Sequence, residues 1–179
     1  MSKFIVVLIF SSAAFLTGCS TLIIESYKPT EVTRDALAHA PDNYSVGGIS
    51  GVSRVESDQL AKSSLPCRMQ TFQMPDEQPV NLYIESALKS ELQAASKLAA
   101  PEGRRIDIVV VKLESDTSKF RNGSWTLDFQ YKIGKITRNI STVTEYGFDK
   151  DATVACRNTA NAFDDALRTN FAKFFKTLN

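Results

Sequence analysis

The run "WTLDFQYKI" (125–133) alternates without a break. Trp125, Leu127, Phe129, Tyr131 and Ile133 fall on one side, and Thr126, Asp128, Gln130 and Lys132 on the other. A period of two sustained this long is a β-strand with one buried and one solvated face, and it restricts what its neighbours can be. Upstream, "IDIVVVKL" (106–113) is too continuously apolar for a half-exposed edge and belongs in the middle of a sheet. Asn122-Gly123 between the two runs reads as a hairpin turn, because both turn positions take positive φ. Gly134-Lys135 marks a second turn, after which "ITRNISTVTEYGF" (136–148) returns, β-branched and more polar. The three runs form an antiparallel meander.

Two helices accompany it. In "PDEQPVNLYIESALKSELQAASKLAAPEG" (75–103), Ile84, Leu88, Leu92, Ala95 and Ala99 follow helical spacing. Asp76, Glu77 and Pro79 suit its start, and Pro101 and Gly103 end it. In "RNTANAFDDALRTNFAKFFKTLN" (157–179), Asn158 is the expected N-cap; Phe163, Leu167, Phe171 and Phe174 form the apolar stripe, with Phe175 just off it. Earlier, the glycine-interrupted "YSVGGISGVSRV" (44–55) and "CRMQTFQM" (67–74) read as short strands, with one helical turn at "SDQLAKSS" between them. The expected fold is α+β: an antiparallel sheet of four to five strands with two amphipathic helices packed on one face.

The start of the chain is organised differently. Lys3 and the apolar run "FIVVLIFSSAAFL" (4–16) have the length of a signal-peptide core and are short for a membrane span. An ordinary signal peptide or a single membrane anchor would fit that much. The order Leu16-Thr17-Gly18-Cys19 resembles the lipobox of bacterial lipoproteins. A thiol accepts the diacylglyceryl group, and a small residue before it lets the peptidase cut, leaving lipidated Cys19 as the first mature residue. Two or more acyl chains together anchor stably where one does not. Ser20 rather than aspartate after the cysteine implies, by resemblance to enterobacterial sorting, the outer membrane. The domain reading is therefore a signal peptide at 1–18, a lipidated tether at 19–43 and a single periplasmic α+β domain at 44–179. An extended tether of about 25 residues would reach roughly 80 Å; alternatively, "LII" (22–24) dips into the headgroups beside the anchor.

Removing the leader leaves about 160 residues, enough for one domain with a proper core. With Cys19 lipidated, Cys67 and Cys156 remain, and in an oxidising envelope such a pair is expected to form a disulfide. Two buried free thiols are the other reading. The 21 basic and 20 acidic residues include no basic stripe, which argues against nucleic acid as a partner.

The lipobox, the helix containing "YIESALKSEL" and the block "IDIVVVKLESDTSKFRNGSWTLDFQYKI" together resemble the YajG family and the PqiC-like auxiliary lipoproteins of envelope ABC transporters. The resemblance covers most of 66–178 and implies an accessory lipoprotein of an envelope assembly. The cysteine pair and the glycines at 46–51 depart from that pattern.

Chemistry is sparse. His39 is the one histidine and falls in the expected tether, so a Ser/His/Asp or Cys/His site has no base on the domain. No Cys-x-x-Cys spacing or phosphate loop is present, so neither a metal nor a cofactor is expected. The carboxylate pairs Glu114/Asp116 and Asp149/Asp151 read as solvated strand and loop ends. The expectation is a non-catalytic, partner-binding lipoprotein, with a lipid- or glycan-binding periplasmic module as the alternative. Its partners would be the membrane, through Cys19, and an envelope protein held on the polar face at Asp128, Gln130 and Lys132.

Overall fold

The structure is a computed structural model that describes residues 22–68, 70–99, 103–117 and 122–179. The expected signal peptide and the lipidation site Cys19 lie outside the described residues. Four strands build the larger sheet: β2 (Tyr44–Gly51), β5 (Arg104–Asp116), β6 (Gly123–Ile133) and β7 (Ile136–Tyr146), in spatial order β2-β5-β6-β7. A smaller sheet has the order β1-β4-β3, from β1 (Leu22–Ile23), β3 (Ser64–Cys67) and β4 (Gln70–Gln73). The helices are α1 (Glu31–Ala38), α2 (Arg54–Leu60), α3 (Val80–Ala94) and α4 (Ala152–Phe175).

The α+β class holds, but the sheet is not antiparallel throughout. β5, β6 and β7 are the meander, whereas β2 runs parallel to β5, and β1 runs parallel to β4. The cause of the first is chain length: α2, β3, β4 and α3 all lie between β2 and β5, and a connection carrying a helix returns the chain parallel. Among the described residues four α-helices, not two, accompany the strands.

Burial follows the alternation. On β6, Trp125, Leu127, Phe129, Tyr131 and Ile133 are buried, and on β5, Ile106, Ile108 and Val110 are. A bulge between Val110 and Lys112 then shifts the phase, so that Leu113 turns inward. α4 closes this face: Phe174 stacks on Tyr131 at 3.8 Å between ring centroids, and Phe163 lies 5.0 Å from Trp125. Phe175, off the stripe by sequence, is fully buried, with its ring 5.6 Å from that of Phe174.

Element ends differ from expectation where side chains cap. α4 begins at Ala152, because Asp151 is its N-cap and accepts from the amides of Thr153 (2.8 Å) and Val154 (3.0 Å); Asn158 lies inside the helix. α3 stops at Ala94, where Ser96 takes φ 55°, and Ala99 instead bonds through its amide to the Tyr44 carbonyl at 2.8 Å. Gly134 does turn at positive φ (59°), but Gly123 is the first residue of β6, without positive φ. A Cβ there would strike the Tyr146 ring, so close packing is what requires that glycine.

The largest correction concerns the tether. From Leu22 the chain is already paired in β1, and Ile24, Tyr27, Thr33, Ala36, Leu37 and Ala40 are buried. Residues 22–43 belong to the folded body, because they carry apolar side chains that α3 and α4 need to cover their own.

Cys67 and Cys156 form a disulfide, with Cα atoms 5.0 Å apart and a sequence separation of 89. It fastens the end of β3 to the second turn of α4, and both cysteines are fully buried.

Candidate functional site: the open face of the sheet

The outward side chains of β5, β6 and β7 stand in rows set by strand register. Asp107, Lys132 and Thr137 oppose one another, as do Val109, Gln130 and Asn139, and Lys112, Asp128 and Ser141. Opposite charges stand across from one another in register at Asp107–Lys132 and Lys112–Asp128, which favours the register, while the close ion pairs run along β5, Arg105–Asp107 and Lys112–Glu114, each at 2.8 Å. Asp128 and Gln130 are half-buried and Lys132 exposed, so the three residues expected on this face are on it together.

Two hollows mark the surface. One, of about 190 Å³, is lined by Val111, Asp128, Gln130, Asn139 and Ser141, among others. The second, of about 550 Å³, is lined by Lys112, Glu114, Asp116, Ser124 and Thr126, among others. Lys112 pairs with Glu114 at 2.8 Å, and that hydrogen bond and charge hold its ammonium above the ordinary lysine range. Asp128 Oδ1 is shut off from solvent and has no hydrogen-bond partner among the described residues. A buried carboxylate oxygen without a donor is costly, and a bound group that donates there would be favoured.

The other carboxylate pair is engaged locally. Asp149 Oδ1 accepts from the Asp151 amide at 2.8 Å, and Asp151 caps α4. His39 is exposed at the end of α1. Among the described residues, no group of three His, Cys, Asp or Glu side chains could hold a metal ion, and no helix is long and apolar enough to cross a membrane.

A second polar cluster was missed by sequence reasoning. Glu91 on α3 is fully buried and accepts hydrogen bonds from the Tyr27 and Thr33 hydroxyls. Nearby, Tyr83 donates to Asp164 at 2.5 Å, and Arg168 lies 3.8 Å from Asp164 and 2.7 Å from Asp165. Burial pushes the Glu91 and Asp164 carboxyls up, against the opposing pull of their hydroxyl donors and of Arg168. Burial likewise pushes the Tyr27 and Tyr83 phenols up, and the carboxylates they face add to it. The signal was present: Glu91 sits three residues after Leu88 and four before Ala95, on the apolar side of the helix. Each hydroxyl here donates to a carboxylate, and these bonds tie Tyr27 and Thr33 to α3 and α3 to α4.

No protein-family model and no curated protein matches the chain. Solved structures do. The crystal structure of protein XCC0632 from Xanthomonas campestris, a DUF330 protein, superposes with a TM-score of 0.56 at 17% identity, covering 88% of this chain and 90% of that one. The chain shares the fold of this DUF330 protein. A second solved structure, of an uncharacterized protein, gives a TM-score of 0.54 at 10% identity, over 89% of this chain and 99% of the other. At these identities the likeness concerns the fold alone.

Proposed function

We propose that this protein is a non-catalytic outer-membrane lipoprotein, anchored through Cys19, that holds an envelope protein partner on the open face of its larger sheet. The observation that carries the reading is the orphan Asp128 carboxylate oxygen, on a residue that lines a largely apolar hollow on that face together with Val111, Gln130 and Asn139. A protein surface offering an amide, hydroxyl or ammonium donor would satisfy it. The shared DUF330 fold is in keeping with the resemblance to auxiliary lipoproteins of envelope transporters, which is part of this proposal.

The alternative, a module binding lipid or glycan, calls for a long apolar groove between helices and sheet. That space holds Trp125, Tyr131, Phe163, Phe171 and Phe174, all essentially buried, which favours the protein-binding reading. In-cell crosslinking with mass spectrometry tests it. A protein that copurifies with wild type, and is lost from Asp128→Lys and Lys132→Glu variants that remain folded, is the expected result. Recovery of phospholipid or glycan alone, unaffected by those substitutions, would overturn it in favour of the alternative.

A further inference from the structure

We infer that the domain rests directly on the bilayer, with the β1 edge and Ile23 against the lipid, rather than standing off from it. The inference rests on the Cys19 anchor proposed above and adds the surface that meets the membrane.

The argument is one of reach. Leu22 pairs with Phe72 and Ile23 with Gln73, and the Ile24 amide donates to the Gln73 carbonyl at 3.0 Å. The following residues are pinned from two helices. From α4, Arg168 donates to the Lys28 carbonyl at 3.1 Å, and from α3 the Tyr83 hydroxyl oxygen lies 3.3 Å from the Glu25 carbonyl. Arg168 also covers the Tyr27 ring at 5.3 Å, and the Tyr27 hydroxyl is held by Glu91. Freeing this segment would unbury Ile24 and Tyr27 and take from Glu91 one of its two donors. Three residue steps separate Cys19 from the paired Leu22. Whatever its conformation, this stretch spans at most about 10–11 Å, less than the roughly 15 Å radius of gyration of a domain of about 150 residues. A body held that closely stands at most about 10 Å off the surface to which Cys19 is fixed, with β1 the part of it tied nearest the lipid.

The side chains at this edge suit the contact. β1 is an edge strand of the small sheet, and Ile23 points away from the core, 61% exposed, beside buried Ile24. The adjoining hollow, about 310 Å³, is lined by Glu25, Lys28, Asp164, Asp165 and Arg168, among others. Its cations are already paired, Lys28 with Glu25 at 2.6 Å and Arg168 with Asp165 at 2.7 Å. Among the described residues lining this hollow no cation is left unpaired, so the contact is assigned to a headgroup layer of any charge, entered by one apolar side chain.

The test uses the full lipidated protein in phosphatidylcholine vesicles, a fraction of whose acyl chains are brominated near the headgroup. Trp125, buried under α4, is the background emitter in wild type. Ile23→Trp should show a several-fold larger quenching than wild type. Ser26→Trp, at a second exposed position of the segment, is an independent reporter should Ile23→Trp fail to fold. A glycine-serine insertion of about 20 residues before Leu22 should relieve the quenching, since such a linker is a flexible coil. Vesicle-bound, lipidated protein whose reporters are quenched no more than wild type would overturn the inference while leaving the anchor standing. A mature protein of unlipidated mass would overturn both.

Discussion

Glu91 is a carboxylate placed where α3 is otherwise apolar, and its two donors come from the chain segment that precedes β2. An unfolded glutamate titrates near ~4.3, and burial raises the folded value. Between the two values the folded state binds more protons than the unfolded one, so stability falls as pH rises through that window. What Glu91 contributes is fully present below the unfolded value and lost above the folded one, and Asp164 acts in the same direction. Glu91→Gln removes the titration and keeps an acceptor. Urea unfolding from about pH 5 to about pH 8 should show the variant gaining on wild type as pH rises; a constant difference would refute this. Asn170 is the neutral counterpart. It accepts from Tyr131 at 2.6 Å, and its two N–H groups are shared among the carbonyls of Leu127 (3.2 Å) and Ile140 (3.3 Å) and the Thr142 hydroxyl (3.0 Å), tying α4 to β6 and β7. Asn170→Ala strands the Tyr131 hydroxyl in the core and should cost about 1–3 kcal/mol in denaturant unfolding. Partner capture should be unchanged, because the substitution lies on the covered face of the sheet.

At the scale of elements, what could be read in the sequence was whatever a local period declares. The alternation at 125–133 gave β6 its two faces, and with them Asp128, Gln130 and Lys132 on one side. Val109 and Val111 made β5 look wholly buried, although both are half-exposed on the outer face; its central place in the sheet was nevertheless the right reading. Pairing direction was not legible, since whether β2 runs with or against β5 depends on where the intervening chain packs. Nor was the orphan state of Asp128, which arises from neighbours on other strands. The start of α4 was misplaced because Asn158 and Asp151 are both good cap residues, and only the fold decides between them. The disulfide joins elements from the two halves of the chain. A closed loop of 89 residues corresponds to about 4–5 kcal/mol in the chain-entropy account. Intact mass after alkylation should show no modified Cys67 or Cys156 until reductant is added, and the double Cys→Ala variant should unfold at clearly lower urea. Free thiols without reductant would refute the bridge.

For the whole molecule, the decisive feature is that the body does not begin where its strongest patterns begin. A division at 43/44 places the meander, both long helices and the disulfide in one piece, and by periodicity alone that piece looks complete. In the structure it is open on one side. Glu91 would lose both hydroxyl donors, the Arg168 guanidinium its ring, Phe171 the Tyr27 ring 6.3 Å away, and the core Ile24, Tyr27, Ala36 and Leu37. Each large side chain fully buried is worth about 1.5–3 kcal/mol, and a domain's whole margin is only about 5–15 kcal/mol. Protein beginning at Leu22 should therefore unfold in one cooperative transition. Protein beginning at Tyr44 should have a markedly lower midpoint and bind a hydrophobic dye before unfolding. Adding residues 22–43 back as a separate peptide should restore part of the midpoint, because the lost contacts are non-covalent. Equal midpoints for the two forms would show that the segment lies on the body without supporting it, and would return it to the role of a tether.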